Sequence, residues 1–99
     1  METKGKFIVF EGTDGSGKST QMKMAGSFLK SKGIDCILTH EPTDSPFGAL
    51  LRACLTGRID ADEYTIAAMF AADRLDHVRN AVNGIQKTLD EGVSVLCDR

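Results

Sequence analysis

Residues 7–19 read FIVFEGTDGSGKS, an apolar run followed at once by a glycine-rich loop that ends in Lys18 and Ser19. Residues 12–19 fit the pattern G-x-x-x-x-G-K-[ST], in which glycines let successive backbone N–H groups curl around phosphate oxygens. The helix that follows such a loop directs the positive end of its dipole at the same oxygens. The segment therefore predicts a strand, a phosphate-binding loop and a helix in succession, with a glycine-rich turn that binds nothing as the alternative.

The loop also predicts which residues hold the ligand. In loops of this pattern the lysine neutralises the β and γ phosphates of a nucleoside triphosphate, and the Ser or Thr hydroxyl ligates Mg²⁺. Lys18 and Ser19 occupy those positions. The candidate nucleotide-binding residues are Gly12, Thr13, Asp14, Gly15, Ser16, Gly17, Lys18, Ser19 and Thr20.

Composition narrows the class of protein. The chain has 99 residues, enough for one small domain with a modest core. Its net charge of -2 argues against the broad basic surface that sequence-independent nucleic-acid binding needs. The apolar run near the N-terminus is too short for a secretory signal or a membrane span. We therefore expect a cytoplasmic protein that binds small charged metabolites, without a nucleic-acid or membrane partner.

The cysteines and histidines predict structural roles. Cys36, Cys54 and Cys97 show no C-x-x-C spacing, so we expect them to be reduced and buried, with a reactive thiol as the alternative. His40 and His77 have no second His or Cys at the spacing of metal ligands. We therefore expect surface or hydrogen-bonded histidines and no metal site made of side chains alone.

Apolar periodicity predicts strands that alternate with helices. In the first predicted helix Met22 and Phe28 share one apolar face, and Asp60 with Glu63 has the spacing of a helix N-cap. The predicted strands cover residues 6–11, 34–39 and 93–97, and the predicted helices cover residues 18–32, 47–56, about 60–82 and 85–91. This order predicts an α/β fold with a parallel sheet covered on both faces.

Polar residues follow each predicted strand, in residues 11–19, 40–43 and 98–99. In parallel sheets of this class ligands gather beyond the carboxyl ends of the strands. The three segments are therefore expected to meet in one nucleotide site, although they are far apart in the sequence.

Four separated segments resemble the thymidylate kinase family. They are residues 10–20 (FEGTDGSGKST), 40–43 (HEPT), 69–74 (MFAADR) and 97–99 (CDR). The acid inside the loop, the later F-x-x-D-R and the D-R pair that closes a strand indicate this family rather than nucleotide binding alone. The resemblance implies a P-loop NTPase-like three-layer α/β/α fold, with about three strands of its sheet in this chain. It also implies transfer of the γ-phosphoryl of ATP to deoxythymidine monophosphate (dTMP), with Mg²⁺.

The resemblance assigns residues to the base and sugar of dTMP. Asp14 matches the loop carboxylate that holds the sugar 3′-hydroxyl, with an incidental loop acid as the alternative. Phe70 and Arg74 share one helical face, since they lie at i and i+4. By resemblance Phe70 stacks on thymine and Arg74 hydrogen-bonds its carbonyl edge. As alternatives, Phe70 is a core residue, and Asp73 pairs with His77 or caps nothing.

The resemblance also assigns residues to the phosphates. Asp98 would hold Mg²⁺ through water, with Ser19, and Arg99 would clamp the acceptor phosphate. Arg52 is a second candidate clamp, with an ordinary exposed arginine as the alternative. Glu41 and Pro42 match the loop that shapes the acceptor pocket, with an ordinary turn as the alternative. The predicted catalytic residues are Lys18, Asp98 and Arg99.

The chain departs from the family pattern in two respects. Gly15 stands where some members carry an arginine that reaches the transferring phosphoryl, so that charge must come from elsewhere, and in similar members it comes from a mobile lid. We expect residues 1–99 to be the N-terminal part of a single kinase domain, without the lid and the adenine-binding segment. An open edge on the first strand would then make the isolated chain weakly stable, dimeric or aggregation-prone. A homodimer through the helix layer would match the family.

Other functions stay open at this point. The nearest enzymatic alternative is a P-loop kinase for another nucleoside monophosphate or for a deoxynucleoside. A second alternative is a nucleotide-binding fragment without catalysis. A third is a switch protein of the GTPase kind, which usually needs a guanine-reading segment that we do not find in these residues.

Overall fold

The computed structural model describes residues 4–13 and 17–99, and the statements below refer to those residues. Strands alternate with helices as predicted. The elements are β1 Phe7–Phe10, α1 Lys18–Ser31, β2 Cys36–His40, α2 Pro46–Leu55, α3 Glu63–Arg79, α4 Ile85–Asp90 and β3 Ser94–Asp98.

The three strands form one parallel sheet in the order β1-β3-β2. Helices cover both of its faces. On one face Leu38 of β2 lies against Gly26 of α1. On the other, Thr39, the next residue of β2, bonds His77 of α3 at 2.8 Å, because successive side chains of a strand point to opposite faces. The predicted α/β fold with a parallel sheet is confirmed.

Strand β3 lies between the other two strands and carries the core. Val95, Leu96 and Cys97 are fully buried, and Leu96 packs with Met22 of α1 and Cys36 of β2. A strand that is buried on both faces reads as a continuous apolar run rather than an alternating one. The apolar residues after Gly92 indicated this strand for that reason.

The prediction for α3 was wrong at both ends. Its N-cap is Asp62 rather than Asp60, because the Asp62 carboxylate accepts the backbone N–H of Thr65 at 2.7 Å. The helix ends at Arg79 rather than near residue 82. There the side-chain oxygen of Asn80 accepts the backbone N–H groups of the two residues at 82 and 83, which offers the chain an alternative to helical hydrogen bonds.

Phe28 of α1 does not face the core as predicted. Its side chain is 61% exposed, whereas Met22 on the same helix is 4% exposed. The ammonium group of Lys32 lies 5.6 Å from the centroid of the Phe28 ring. This aromatic ring is therefore covered on one side by a cation instead of by the sheet.

All three cysteines are free and buried, as predicted. Burial raises the pKa of the Cys97 thiol, and the negative charge of Glu41 adds to the rise. Since the thiolate is the reactive form, the reactive-thiol alternative has no support at Cys97. None of the helices described in residues 4–13 and 17–99 is long and apolar enough to cross a membrane.

Strand β1 lies at the edge of the described sheet. It pairs only with β3 in these residues, and Phe7 and Ile8 are each 39% exposed. Its outer N–H and C=O groups are therefore open to a further strand. The expected low stability of the isolated chain stays a prediction.

Candidate functional site

The carboxyl ends of β1, β2 and β3 meet at one cavity, as the sheet topology requires. The backbone N–H of Glu41, just after β2, donates to the carbonyl of Asp98 at the end of β3. The cavity has a volume of about 700 Å³. Its lining residues are Gly12, Thr13, Lys18, His40, Glu41, Pro42, Asp44, Arg52, Asp98 and Arg99. The structure therefore brings together eight of the predicted site residues from distant parts of the sequence, namely Gly12, Thr13, Lys18, Glu41, Pro42, Arg52, Asp98 and Arg99.

Lys18 is held by oxygen atoms on three sides. Its ammonium nitrogen lies 2.7 Å from a carboxylate oxygen of Asp98, and it donates to the backbone oxygens of Gly12 and Arg99 at 2.9 Å each. A lysine ammonium has three donors, so these contacts use all of them. A phosphate oxygen that binds Lys18 must therefore replace at least one protein oxygen.

The loop that precedes α1 is described in part. Gly17 lies directly before the helix and has a φ of 85°, in the left-handed region that glycine adopts without steric cost. Asp14, Gly15 and Ser16 lie outside the described residues, so their predicted roles stay predictions. Thr20 lies exposed on the first turn of α1.

Ser19 and Asp98 line one small cavity of about 160 Å³ between α1 and the sheet. A hydroxyl and a carboxylate are the hard oxygen ligands that Mg²⁺ prefers. Within residues 4–13 and 17–99 there is no group of three or more His, Cys, Asp or Glu side chains placed to hold a metal ion. The two residues would fit a magnesium ion only if its remaining ligands came from water and phosphate.

The Glu41 carboxylate joins three side chains. Its Oε1 accepts from Nε and Nη2 of Arg74 at 3.0 and 2.8 Å, and Nε of Arg99 lies 3.4 Å from the same oxygen. Its Oε2 lies 2.8 Å from Nδ1 of His77. Burial raises the pKa of Glu41, but hydrogen bonds from His77 and Arg74 and the charges of the two arginines outweigh burial, so the net shift is downward. Glu41 is therefore a carboxylate at neutral pH.

Arg99 is placed by contacts from two elements. Its guanidinium carbon lies 5.7 Å from the centroid of the Phe7 ring of β1. Its Nε is buried and makes no hydrogen bond within the described part of the chain, since the Glu41 oxygen at 3.4 Å is not well aligned with it. Arg99 also lines the cavity of about 700 Å³, so its guanidinium group can bind an anionic ligand there.

The loop between β2 and α2, residues 41–45, is fastened to α3 by Asp73. This carboxylate is 2% exposed. It accepts the backbone N–H and the hydroxyl of Thr43 at 2.9 and 2.6 Å. Asp73 does not pair with His77, so that alternative was wrong. Its role is to hold the loop that carries Glu41 and Pro42.

The same loop is also held from α2. Nη1 of Arg52 donates to the backbone carbonyls of Pro42 and Thr43, so Arg52 is more than an ordinary exposed arginine. A Cβ atom on Gly48 would collide with the backbone of Thr43. Glycine at this position therefore lets α2 approach the loop closely. The peptide bond between Glu41 and Pro42 is cis.

Phe70 and Arg74 line a second cavity of about 570 Å³, together with Glu41. Phe70 is 47% exposed, so the core alternative for this ring was wrong. Hydrogen bonds and the charge of Glu41 raise the pKa of Arg74 further above its usual range. Since Glu41 lines both cavities, it forms a common wall between the phosphate end and the aromatic end of the site.

Sequence analysis did not place His77 in the site. Its side chain is 9% exposed and bridges Thr39 of β2 and Glu41. A signal was available, because residues 70, 74 and 77 lie at i, i+4 and i+7 of one helix and so share a face. His40, by contrast, is half-exposed and bonds the Pro42 carbonyl and Asp44. Both histidines are hydrogen-bonded, as predicted.

Comparison with known proteins shows what this arrangement is similar to. The family model for thymidylate kinase matches residues 10–99. The chain is 45% identical over 95 residues to the thymidylate kinase of Desulfotalea psychrophila, which covers 96% of this chain and 46% of that protein. It is 44% identical over 101 residues to the probable thymidylate kinase of Pyrococcus horikoshii, covering 97% of this chain and 48% of that protein.

A solved structure gives the same result. The crystal structure of thymidylate kinase from Ehrlichia chaffeensis superposes with a TM-score of 0.79 at 32% sequence identity, covering 97% of this chain and 54% of that chain. The chain thus spans about half the length of the relatives that it matches.

Proposed function

Because the chain belongs to the thymidylate kinase family, we propose that the protein carrying these residues transfers the γ-phosphoryl of ATP to dTMP. The product is the diphosphate, a step in dTTP biosynthesis. The observation that carries the proposal is the pair of cavities that meet at Glu41, one beside Lys18 and Asp98 and the other beside Phe70 and Arg74. A phosphate-binding end joined to an aromatic end fits two phosphorylated substrates. The aromatic end would recognise one of them by its base.

At the donor end, residues 12–20 would hold the ATP phosphates, with Lys18 on the β and γ phosphates. Ser19 and Asp98 would hold Mg²⁺, which when bound screens the negative charge of the triphosphate. Lys18 already lies between the loop carbonyl of Gly12 and the Asp98 carboxylate. Its ammonium group would exchange one of these oxygens for a phosphate oxygen.

At the acceptor end, Phe70 would stack on thymine and Arg74 would donate to its carbonyl edge. Arg74 contacts Glu41 through Nε and Nη2, which leaves Nη1 as a donor for the base. Asp14 would hold the sugar 3′-hydroxyl. The half-exposed ring of Phe70 supports this proposal because it offers a flat apolar surface at the cavity wall.

Between the two ends, Arg99 and Arg52 would clamp the acceptor phosphate, within the pocket that Glu41 and Pro42 shape. Phosphoryl transfer needs little covalent help from a protein, so placing two anions in line while cations screen their repulsion supplies most of the rate. We therefore propose Lys18, Asp98 and Arg99 as the catalytic residues.

We further propose that residues 1–99 form the N-terminal part of a single kinase domain, since they match about half of each relative. The lid that excludes water and supplies further cations would lie outside them, so the 99 residues alone would catalyse slowly. We propose a cytoplasmic homodimer that contacts neither nucleic acid nor membrane.

The proposal is tested by the rate of ADP formation in full-length protein that includes residues 1–99, with ATP and Mg²⁺. The acceptors are dTMP and the monophosphates of adenosine, guanosine and cytidine. We expect the highest kcat/KM for dTMP. Arg74 would donate a hydrogen bond to a carbonyl of thymine at the position where cytosine presents an amino group, which cannot accept it. Equal rates with cytidine monophosphate would contradict the base assignment, and no ADP with any acceptor would contradict a kinase.

A further inference from the structure

The geometry of Glu41 shows that one of its contacts is unusual. Arginine and carboxylate usually meet as two forks, with one oxygen for each of two N–H groups. Here both Nε and Nη2 of Arg74 bond the same oxygen, Oε1, at 3.0 and 2.8 Å. The other oxygen, Oε2, is taken by Nδ1 of His77 at 2.8 Å. The two oxygens of the carboxylate therefore have different partners, Arg74 on Oε1 and His77 on Oε2.

The proton on Nδ1 of His77 follows from its partner. An ionised carboxylate only accepts hydrogen bonds, so Nδ1 carries the proton and donates to Glu41. Nε2 lies 2.8 Å from the hydroxyl of Thr39, which can donate to an unprotonated ring nitrogen. A neutral ring with its proton on Nδ1 satisfies both partners, and Thr39 of β2 and Glu41 then hold the ring from two sides. With its side chain 9% exposed, His77 is protected from competition by water.

We propose that His77 is a positioning residue for the acceptor: it orients the Glu41 carboxylate so that Oε1 alone holds Arg74 and lies beside Arg99. This inference rests on the proposed function, in which Arg74 reads the base and Arg99 clamps the acceptor phosphate. Without His77 the carboxylate is free to rotate and to form a full fork with Arg74. That fork would redirect the guanidinium donors away from the base and would shift Oε1 away from Arg99.

The proposed role of His77 predicts different effects on the binding of the two substrates. His77 reaches the acceptor half of the site through Glu41, which bonds Arg74, whereas Lys18 and its partners form the donor half. Loss of His77 should therefore weaken dTMP binding and leave ATP binding almost unchanged. A merely structural role for His77 would affect both substrates, because α3 and β2 support the whole site.

The experiment measures steady-state kinetics of full-length protein with dTMP and ATP varied in turn. We expect His77→Ala to raise KM for dTMP about tenfold, the loss typical of one hydrogen bond to a charged group, and to change KM for ATP less than about twofold. The control variant is His77→Asn, whose amide nitrogen can occupy the place of Nδ1, and it should recover most of the dTMP affinity. Equal rises in both KM values, or an Asn variant no better than Ala, would overturn the inference.

A double variant shows whether His77 acts through Glu41. If it does, His77→Ala adds nothing to Glu41→Gln, and the double variant has the dTMP KM of Glu41→Gln alone. Effects that multiply would show that His77 acts independently of Glu41 and would overturn the inference.

Nitrogen NMR of the His77 ring provides a readout that needs no catalysis. We expect the ring proton on Nδ1 in the wild type, and loss of its protection from exchange in Glu41→Gln. A ring with its proton on Nε2 and none on Nδ1 in an active wild type would overturn the inference and leave the kinase assignment standing. A wild type with the Nδ1 proton that fails to phosphorylate dTMP would overturn the proposed function.

Discussion

The two ends of the site hold their cations in different ways. At the phosphate end, Lys18 uses all three donors on protein oxygens, namely one carboxylate and two backbone carbonyls. At the aromatic end, called the base end below, the side chain of Arg74 is 54% exposed. It is bound by the carboxylate of Glu41, whose side chain is 9% exposed. A ligand at the phosphate end must displace existing contacts, whereas a ligand at the base end can add to them.

This difference indicates where binding energy is used. At the base end the guanidinium is already oriented, so little side-chain ordering remains when the base arrives. In the proposed reaction the contacts of Lys18 at the phosphate end would be exchanged for phosphate oxygens as charge moves during transfer, and catalytic stabilisation would arise there. We therefore expect phosphate-end changes to reduce kcat most and base-end changes to act on KM.

The largest expected effect comes from Lys18→Ala. In the proposed reaction this change would remove one cation from the transferring phosphoryl, and loss of one such contact reduces kcat by about 10²–10³-fold. The measurement is ADP formation at saturating dTMP and ATP. Lys30→Ala is the control, because Lys30 is an exposed lysine in the last turn of the same helix and should keep full activity. Full activity in Lys18→Ala would contradict the loop assignment.

The second prediction concerns the anchor of the base end. Asp73→Ala leaves the buried N–H of Thr43 without an acceptor, and we expect it to lower the free energy of unfolding by about 2–3 kcal/mol. Chemical denaturation of the full-length protein measures this. Asp60→Asn is the control, because Asp60 is exposed and is not the cap of α3, and it should change stability by less than about 0.5 kcal/mol. Equal losses in the two variants would show that Asp73 does not fasten the loop.

The third prediction tests whether the base end acts on binding alone. Arg74→Ala should raise KM for dTMP about tenfold with a smaller change in kcat, because it removes a hydrogen bond to the base and leaves the phosphate cations in place. Arg79→Ala, an exposed arginine on the same helix, should change neither constant. A fall in kcat as large as that of Lys18→Ala would remove the distinction between the two ends.

The sequence predicted the sheet and the phosphate end better than the base end, for physical reasons. The strands, the glycine-rich loop and the D-R pair are local patterns, and the topology of a parallel sheet brings their ends together whatever the connecting length. The contacts of His77 and Asp73 join residues about 30 positions or more apart. Tertiary packing decides which side chains meet over such distances. The spacing of residues along a helix indicates these contacts only weakly.

The predicted ends of α3 were wrong where a side chain competed with the backbone for hydrogen bonds. Asp60 and Asp62 both precede the helix, and only geometry decides which carboxylate reaches the Thr65 N–H. Asn80 ended α3 early by bonding the backbone ahead of it. In the same way Phe28 had the right period for the core and yet lies outside it, because the period identifies a face but not its width.

The smallest expected effect is a pH dependence of the base end. The folded pKa of Glu41 lies below its ordinary value, so its contribution to stability is fully present above the unfolded pKa of about 4.3. It is lost as the pH falls through the folded pKa. We therefore expect Glu41→Gln to be less stable than the wild type at pH 7, and the difference in free energy of unfolding to narrow as the pH falls below about 4.3.

Urea denaturation of both proteins at a series of pH values measures that difference. Glu63→Gln, a change at an exposed glutamate in the first turn of α3, serves as the control, and its difference from the wild type should be small throughout. If the curves of wild type and Glu41→Gln stay parallel down to pH 3, the carboxylate is not stabilised by its partners in the folded state. Arg74 would then be held by packing, and both ends of the site would have to order their cations when substrates bind.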